Sequence, residues 1–218
     1  MNDTFYKRMG KRTFDLLGAT CGLVILTPFL LIIAVLVKAT NRGPVFFRQT
    51  RVGHFGKRFR ICKFRSMTAS STGRGALLTE AGDPRITHLG RWLRKSKVDE
   101  LPQLINVFLG QMSFVGPRPE VPEYVANYAE TERRVLTMKP GVTGLVAMNN
   151  FREEGLLAAQ RDKDHFYRTV LLPAKLKLDL AYCEDVRFSR DLKIILATLF
   201  RIFWKPARRW SSVVPIPE

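Results

Sequence analysis

The 218 residues suit one domain of ordinary size, and a composition of 46% apolar and 25% charged residues with only 15 Gly and 12 Pro excludes a disordered, fibrous or low-complexity chain. Against 36 Lys and Arg stand 19 Asp and Glu, a formal net charge of +17, so a polyanionic partner is expected: nucleic acid, lipid headgroups or a phosphorylated substrate. The three cysteines, Cys21, Cys62 and Cys183, lie far apart without CxxC or Cys/His spacing, which argues against a disulfide framework or a zinc site and points to a reducing cytoplasm.

The first element is a run of 22 uncharged residues, 16–37, which as helix would measure about 33 Å, the length of a bilayer core. It is too long for the apolar region of a cleaved signal peptide, and no small-residue cleavage site follows it. Lys7, Arg8, Lys11 and Arg12 precede the run, while Lys38, Arg42, Arg48, Arg51, Lys57, Arg58, Arg60, Lys63 and Arg65 follow before the first acid, Glu80. Positive flanks mark the cytoplasmic side, so both ends claim that side. Pro28, near the middle, removes a backbone donor and clashes with the preceding turn, and Thr27 beside it can bond the carbonyls so freed. A helix broken at Thr27-Pro28 that enters and leaves by one face is the expected form; a spanning helix with a mild kink is the alternative.

Asn41-Arg42-Gly43-Pro44 reads as a turn, and two aromatic and β-branched runs around Gly53-His54-Phe55-Gly56 predict a short β-hairpin. Residues 69–82, rich in Ser, Thr and Gly, read as a loop. Ile86, Leu89, Trp92 and Leu93 repeat at helical spacing, as do Leu101, Leu104, Ile105 and Phe108, with Asp99 and Glu100 at the joint between the two patterns. Gly116-Pro117-Arg118-Pro119 is a rigid corner holding one cation, and Lys139-Pro140-Gly141-Val142-Thr143-Gly144 is a second. Helices are predicted over residues 122–138, 153–167 and 174–184. Near the C-terminus Lys193, Ala197, Arg201 and Lys205 fall four apart on an otherwise apolar helix, the pattern of a helix lying in a membrane interface or of a core helix with one solvated edge. No strand–helix alternation implies a parallel sheet. The expected fold class is mainly α with a short β-hairpin, with residues 1–40 inserted in the membrane and residues 41–218 forming a cytoplasmic catalytic domain with interfacial amphipathic helices.

His54, His88 and His165 are scattered without Ser or Cys partners and carry no triad. Asp99-Glu100 is different: two adjacent carboxylates near Lys95 and Lys97, at the start of a helix whose first turn holds Pro102. A helix N-terminus and neighbouring cations favour ionised carboxylates, which serve as nucleophile or metal ligand; N-capping is the plain alternative.

The stretches KRTFDLLGAT, RGPVFFRQTRVGHFGKRFRICKFRSM, DPRITHLGRWLRKSKVDELPQLINVFLGQMSFVGPRP, KPGVTGL and LPAKLKLDLAYCEDVRFSRDLKIILATL resemble the bacterial sugar transferase family, over residues 8–204 and in one order. Its members are monotopic polyprenyl-phosphate phosphoglycosyl transferases of the inner membrane's cytoplasmic face. The resemblance implies the small form without the extra transmembrane domain of larger relatives, and a re-entrant helix broken at Thr27-Pro28. It implies that Asp99 attacks a UDP-sugar and that Glu100, with Asp99, holds Mg²⁺. It further implies that Arg118, with Lys63, Arg65, Arg94 and Lys95, grips phosphates, and that Asp179 and Tyr182 stand near the active site. The implied partners are a UDP-sugar, polyprenyl phosphate and an anionic bilayer, not nucleic acid, with a homo-oligomer compatible. The chain departs from the family pattern at Ser96-Lys97-Val98, where a Ser/Thr-Leu pair is common, and after Leu145. The competing reading is a membrane-tethered basic module that binds lipid or nucleic acid without catalysis, although nothing resembles a helix-turn-helix, a zinc finger or an RNP sequence.

Overall fold

The computed structural model of the chain describes residues 6–41, 43–68, 78–79, 82–149 and 153–204. After one π-helical turn (Tyr6–Gly10), helix α1 (Lys11–Thr40) runs without interruption through Thr27 and Pro28. The break expected at Thr27-Pro28 is therefore not a turn between two helices; Pro28 sits inside one helix. Its missing N–H leaves the Val24 carbonyl without the usual i+4 donor, while Thr27 Oγ1 donates to Leu23 O, one carbonyl earlier, at 2.5 Å. Elsewhere in so apolar a run, helical pairing is what satisfies the backbone, and this favours continuity over an open turn.

One stripe of α1 is buried at the two ends of the helix, through Lys11, Asp15 and Ala19 at one and Ile33 and Val37 at the other, while residues 20–32 between them are half-buried or exposed. This stripe is not a uniform seam. At its N-terminal end Ala19 packs with Phe59, Ile61, Val107 and Met112; at its C-terminal end Ile33 and Val37 pack with Phe64 and Leu93. Gly18 and Gly22, on either side of Ala19, face Phe114 and Leu104 closely. The opposite face, including Leu17, Val24, Ile25, Leu31, Ile32 and Val35, is exposed, and α1 is long and apolar enough to cross a bilayer by length and composition.

The predicted hairpin is present: β1 (Phe46–Val52) pairs antiparallel with β2 (Arg58–Phe64), from Phe46 opposite Phe64 to Val52 opposite Arg58. The two helical patterns form α2 (His88–Lys95) and α3 (Gln103–Phe108), and the 3₁₀ turn Val98–Glu100 joins them. Thr87 caps α2 by accepting from the Gly90 N–H at 2.9 Å. Asn106 fastens α3 to β2, accepting from Cys62 N at 2.9 Å and donating to Arg60 O at 2.8 Å. Arg12 of α1 donates to the last carbonyls of α3, Val107 O at 2.7 Å and Phe108 O at 2.9 Å, so a cation counted as a topology signal is also a helix cap.

The second half of the chain departs more from expectation. The helix predicted over residues 122–138 is two short pieces, α4 (Pro122–Val125) and the 3₁₀ turn Glu132–Thr137. Glu132 turns its carboxylate onto the Ala129 N–H at 2.8 Å, a local bond that starts a new turn rather than continuing the old one. Residues 153–167 likewise divide into α6 (Glu153–Ala158) and α7 (Lys163–Phe166), because Asp162 caps the latter by accepting from the His165 N–H at 2.9 Å. Before them come β4 (Gly141–Thr143) and α5 (Leu145–Asn149); after them a π turn (Tyr167–Leu171), α8 (Leu172–Glu184) and α9 (Phe188–Trp204). A short parallel pair, β3 (Ser113–Val115) with β4, joins the two proline corners, a pairing that no strand–helix alternation in the sequence announces. In α9, Asp191 and Ile194 are buried and Arg201 donates inward to Met148 O, while Leu192, Leu196, Leu199 and Phe200 face outward. Lys205 of the expected basic stripe, and most of the loop over residues 69–82, lie outside the described residues.

Candidate active site

Three segments converge on the carboxylate pair. Lys97 takes the left-handed conformation (φ 59°, ψ 12°), reverses the chain after α2 and starts the turn that carries Asp99 and Glu100. From β2, Lys63 donates to Glu100 Oε1 at 2.8 Å. From the Gly116-Pro117-Arg118-Pro119 corner, Arg118 Nη2 lies 4.0 Å from the same oxygen, its side chain 38% exposed. Asp99 is 6% exposed, and its Oδ1 is buried without a hydrogen-bond partner.

The two carboxyls are pushed in opposite directions. Burial, and then the neighbouring Glu100 charge, raise Asp99 above the ordinary carboxylate range. Burial acts on Glu100 too, but Lys63, Lys97 and Arg118 together more than reverse it and hold Glu100 well below that range. Glu100 is thus a fixed anion, and Asp99 is a buried carboxyl with one oxygen outside any hydrogen bond.

The corner carrying Arg118 is fixed from below. Gly116 N donates to Thr143 O at 3.0 Å and Gly141 N to Pro117 O at 2.8 Å, and the backbone N–H of Arg118 donates to Asp179 Oδ2 at 3.1 Å. A Cβ on Gly116 would stand 2.3 Å from Lys139 O, so only glycine permits this approach. Asp179 Oδ1 is also buried without a partner, beside a small cleft lined by Gly116, Arg118, Gly141, Thr143 and Gly144.

Beneath the corner lies a polar cluster that sequence reasoning missed. Lys175 Nζ is 3.1 Å from Glu120 Oε1 and 3.2 Å from Glu153 Oε2, and donates to Tyr167 Oη at 2.8 Å; Tyr167 donates to Glu120 Oε1 at 2.7 Å. Arg51 lies 3.5 Å from Glu120 Oε2 and donates to Pro119 O at 3.0 Å. Glu120, two residues after Arg118, was the available signal. Lys175 was hidden, because an apolar helix pattern gives no sign that one lysine in it points inward.

The structure brings Lys63 and Arg118 to Glu100, sets Asp179 behind them on the Arg118 backbone, and has Arg94 act on Asp99 electrostatically. It does not bring in the rest. Arg65 donates to Pro44 O at 2.8 Å, outside the cluster. Lys95 is exposed at the end of α2, without a hydrogen bond or ion pair to the dyad. Tyr182 belongs elsewhere: it donates to Asp191 Oδ1 at 2.7 Å and accepts from Lys11 at 3.0 Å, in a buried group that holds the start of α1. Its neighbour at one turn's spacing, Asp179, faces the site instead.

Among the described residues no three His, Cys, Asp or Glu side chains cluster as a ready-made metal cage. Two adjacent carboxylates, one with a buried unpaired oxygen, nonetheless offer the hard oxygen donors that suit Mg²⁺.

Residues 6–205 match the family model described as bacterial sugar transferase, and the chain belongs to that family. It is 37% identical over 196 residues to a UDP-glucose:undecaprenyl-phosphate glucose-1-phosphate transferase of Klebsiella pneumoniae, covering 88% of this chain and 40% of that protein. It is 38% identical over 204 residues to the exopolysaccharide production protein PSS of Rhizobium leguminosarum bv. phaseoli, covering 87% of this chain and 92% of that protein. A UDP-N-acetylgalactosamine-undecaprenyl-phosphate N-acetylgalactosaminephosphotransferase of Aeromonas hydrophila is 41% identical over 137 residues, 62% of this chain and 32% of that protein. The chain thus spans well under half the length of several relatives it matches.

Proposed function

We propose that this chain transfers a sugar-1-phosphate from a UDP-sugar to polyprenyl phosphate at the cytoplasmic face of a bacterial inner membrane. The observation that carries the reading is the buried, unpaired Oδ1 of Asp99 beside a Glu100 held anionic by Lys63 and Arg118. An Asp99 oxygen attacks the β-phosphorus of the UDP-sugar, the bond to the bridging oxygen breaks, and UMP leaves with that electron pair. A phosphate oxygen of the lipid then attacks the aspartyl-phosphosugar, which returns the Asp99 carboxylate and yields a polyprenyl-diphosphate sugar. Arg118, steadied through Asp179 and the Glu120–Lys175 pair, aligns the diphosphate, with its planar guanidinium suited to two oxygens at once. Mg²⁺ would be held by Asp99 and Glu100 and would neutralise diphosphate charge. The family and the names of its relatives support the overall reaction; the covalent step rests on the geometry of Asp99. Such a product is a first lipid-linked precursor of a glycan.

The membrane part of the reading rests on α1. Its buried stripe touches the rest of the described chain near both ends, which supports α1 entering and leaving by one face with the catalytic part on the cytoplasmic side against the lipid. Trp92, Ile105, Phe108 and Leu109 and the outward face of α9 are further exposed apolar side chains that would suit a lipid surface, and the net charge suits anionic headgroups.

The test is UMP release from UDP-sugars without acceptor. Wild type should release a burst and carry a phosphosugar adduct by intact-protein mass, discharged by polyprenyl phosphate. Asp99→Asn should lose both signals, by 10³-fold or more in turnover on the order expected for a removed nucleophile. UMP release that always requires both substrates would overturn the covalent step and favour direct attack by the lipid phosphate.

A further inference from the structure

Lys97 occupies a backbone conformation that suits glycine. At φ 59° its Cβ crowds the following carbonyl, a cost every L residue bears and glycine does not. The reversal made there is shared by two elements: Lys97 N donates to Arg94 O at 3.2 Å, closing α2, and Lys97 O accepts from Glu100 N at 3.1 Å, opening the turn that carries the dyad. A long cation held where a side chain is disfavoured is the kind of backbone outlier whose function should be asked.

Three cations act on Glu100: Lys63, Lys97 and Arg118. Lys63 is spent on its bond to Glu100, and Arg118 leans on the same oxygen. Lys97 is exposed and makes no side-chain hydrogen bond or ion pair among the described residues. It stands two residues before Asp99 on the solvent side of the turn. A mobile ammonium with three donors is suited to follow a phosphate oxygen rather than to fix its angle.

We propose that Lys97 captures a substrate phosphate over the Asp99–Glu100 turn, either the diphosphate of the nucleotide sugar or the phosphate of the lipid acceptor. This rests on the transfer reaction proposed above. The backbone conformation separates the side chain from the fold: Lys97→Gly removes the ammonium while easing the torsion, and Lys97→Asn tolerates the same torsion. Lys97→Arg retains a cation.

The experiment measures thermal midpoint, then KM and kcat for UDP-sugar and for undecaprenyl phosphate in detergent, together with equilibrium binding of UDP at low and high salt. Lys97→Gly and Lys97→Asn should keep or raise the midpoint, and raise one KM about tenfold, as the loss of one charge-assisted contact implies, with kcat changed far less. Lys97→Arg should restore most of that affinity. A raised KM for UDP-sugar, with weaker and less salt-sensitive UDP binding, assigns the capture to the diphosphate; a raised KM for the lipid alone assigns it to the acceptor. Unchanged KM values for both substrates, in an active wild type, would overturn the proposal and leave Lys97 a solvated cation. If wild type transferred no sugar phosphate, the underlying reaction would fail, and unchanged UDP and lipid-phosphate binding in Lys97→Gly would still overturn the role of Lys97 independently.

Discussion

Asp179 shows how one carboxylate can do structural work and carry a pH signature. Its Oδ2 holds the Arg118 backbone, its Oδ1 has no partner, and burial pushes its carboxyl from the ordinary 3.8 up to about 7, against the opposing Arg118 N–H bond and Lys175 charge. In the folded chain the proton is held to higher pH than in the unfolded one. Its contribution to stability is therefore complete below 3.8 and declines as pH rises to about 7. Asp179→Asn mimics the protonated form and keeps an acceptor for Arg118 N–H. In detergent, wild type should lose thermal stability between those two pH values, and the variant should lose less and be the more stable protein at pH above 7. Parallel profiles for the two proteins would show that another group sets the slope.

At the scale of elements, the start of α1 is bolted on by charge rather than by apolar packing. Lys11 is buried 2.5 Å from Asp191 of α9, which also accepts from Tyr6 Oη and Tyr182 Oη, both at 2.7 Å; Asp15 accepts from Ser113 Oγ at 3.0 Å and Phe114 N at 2.9 Å. Lys11→Met should leave Asp191 buried without its cation and lower stability by about 3 to 5 kcal/mol. Adding Asp191→Leu should recover much of that loss, since a buried pair replaced whole by apolar side chains is often neutral. Denaturation of both variants in detergent checks this, and equal losses in the single and double variants would remove the pairing argument. The same pair shows what the sequence could and could not convey. Apolar spacing exposed α2, α3 and the hairpin, and two adjacent acids at a helix joint exposed the dyad, because those signals are local. The Lys11 and Lys175 pairings join segments about 180 and 55 residues apart, and such partners leave no mark on local spacing. Residues 122–138 failed for another reason: their apolar spacing fitted a helix, but Glu132 bonding back to Ala129 N–H closed a competing turn.

For the whole molecule the open question is which sides of a membrane the two ends of α1 face. A helix of 30 residues is about 45 Å long, enough to span. Spanning would carry one end of α1 across the hydrocarbon, yet Lys11 and Arg12 at one end and Ile33, Val37 and Asn41 at the other all engage the same body of the protein. That body bears the Glu100, Lys63 and Arg118 charges and the +17 balance, which are costly in lipid. Both ends should therefore sit on one face, with the outward stripe of Val24, Ile25, Ile32 and Val35 in the hydrocarbon and Pro28 letting the helix bend. In a background with Cys21 and Cys183 replaced, Met9→Cys and Lys38→Cys should react with a membrane-impermeant maleimide in inside-out vesicles and stay unreactive in intact spheroplasts. Opposite behaviour of the two positions would establish a spanning helix. Pro28→Ala restores the missing donor and removes the clash, so it should stiffen α1 and shift labelling of Met9→Cys toward the spheroplast pattern if the bend is what holds the two ends together. Unchanged labelling in Pro28→Ala would place that constraint in the contacts of Lys11 and Asp15 instead, and Lys11→Met in the same assay would then be the variant that releases it.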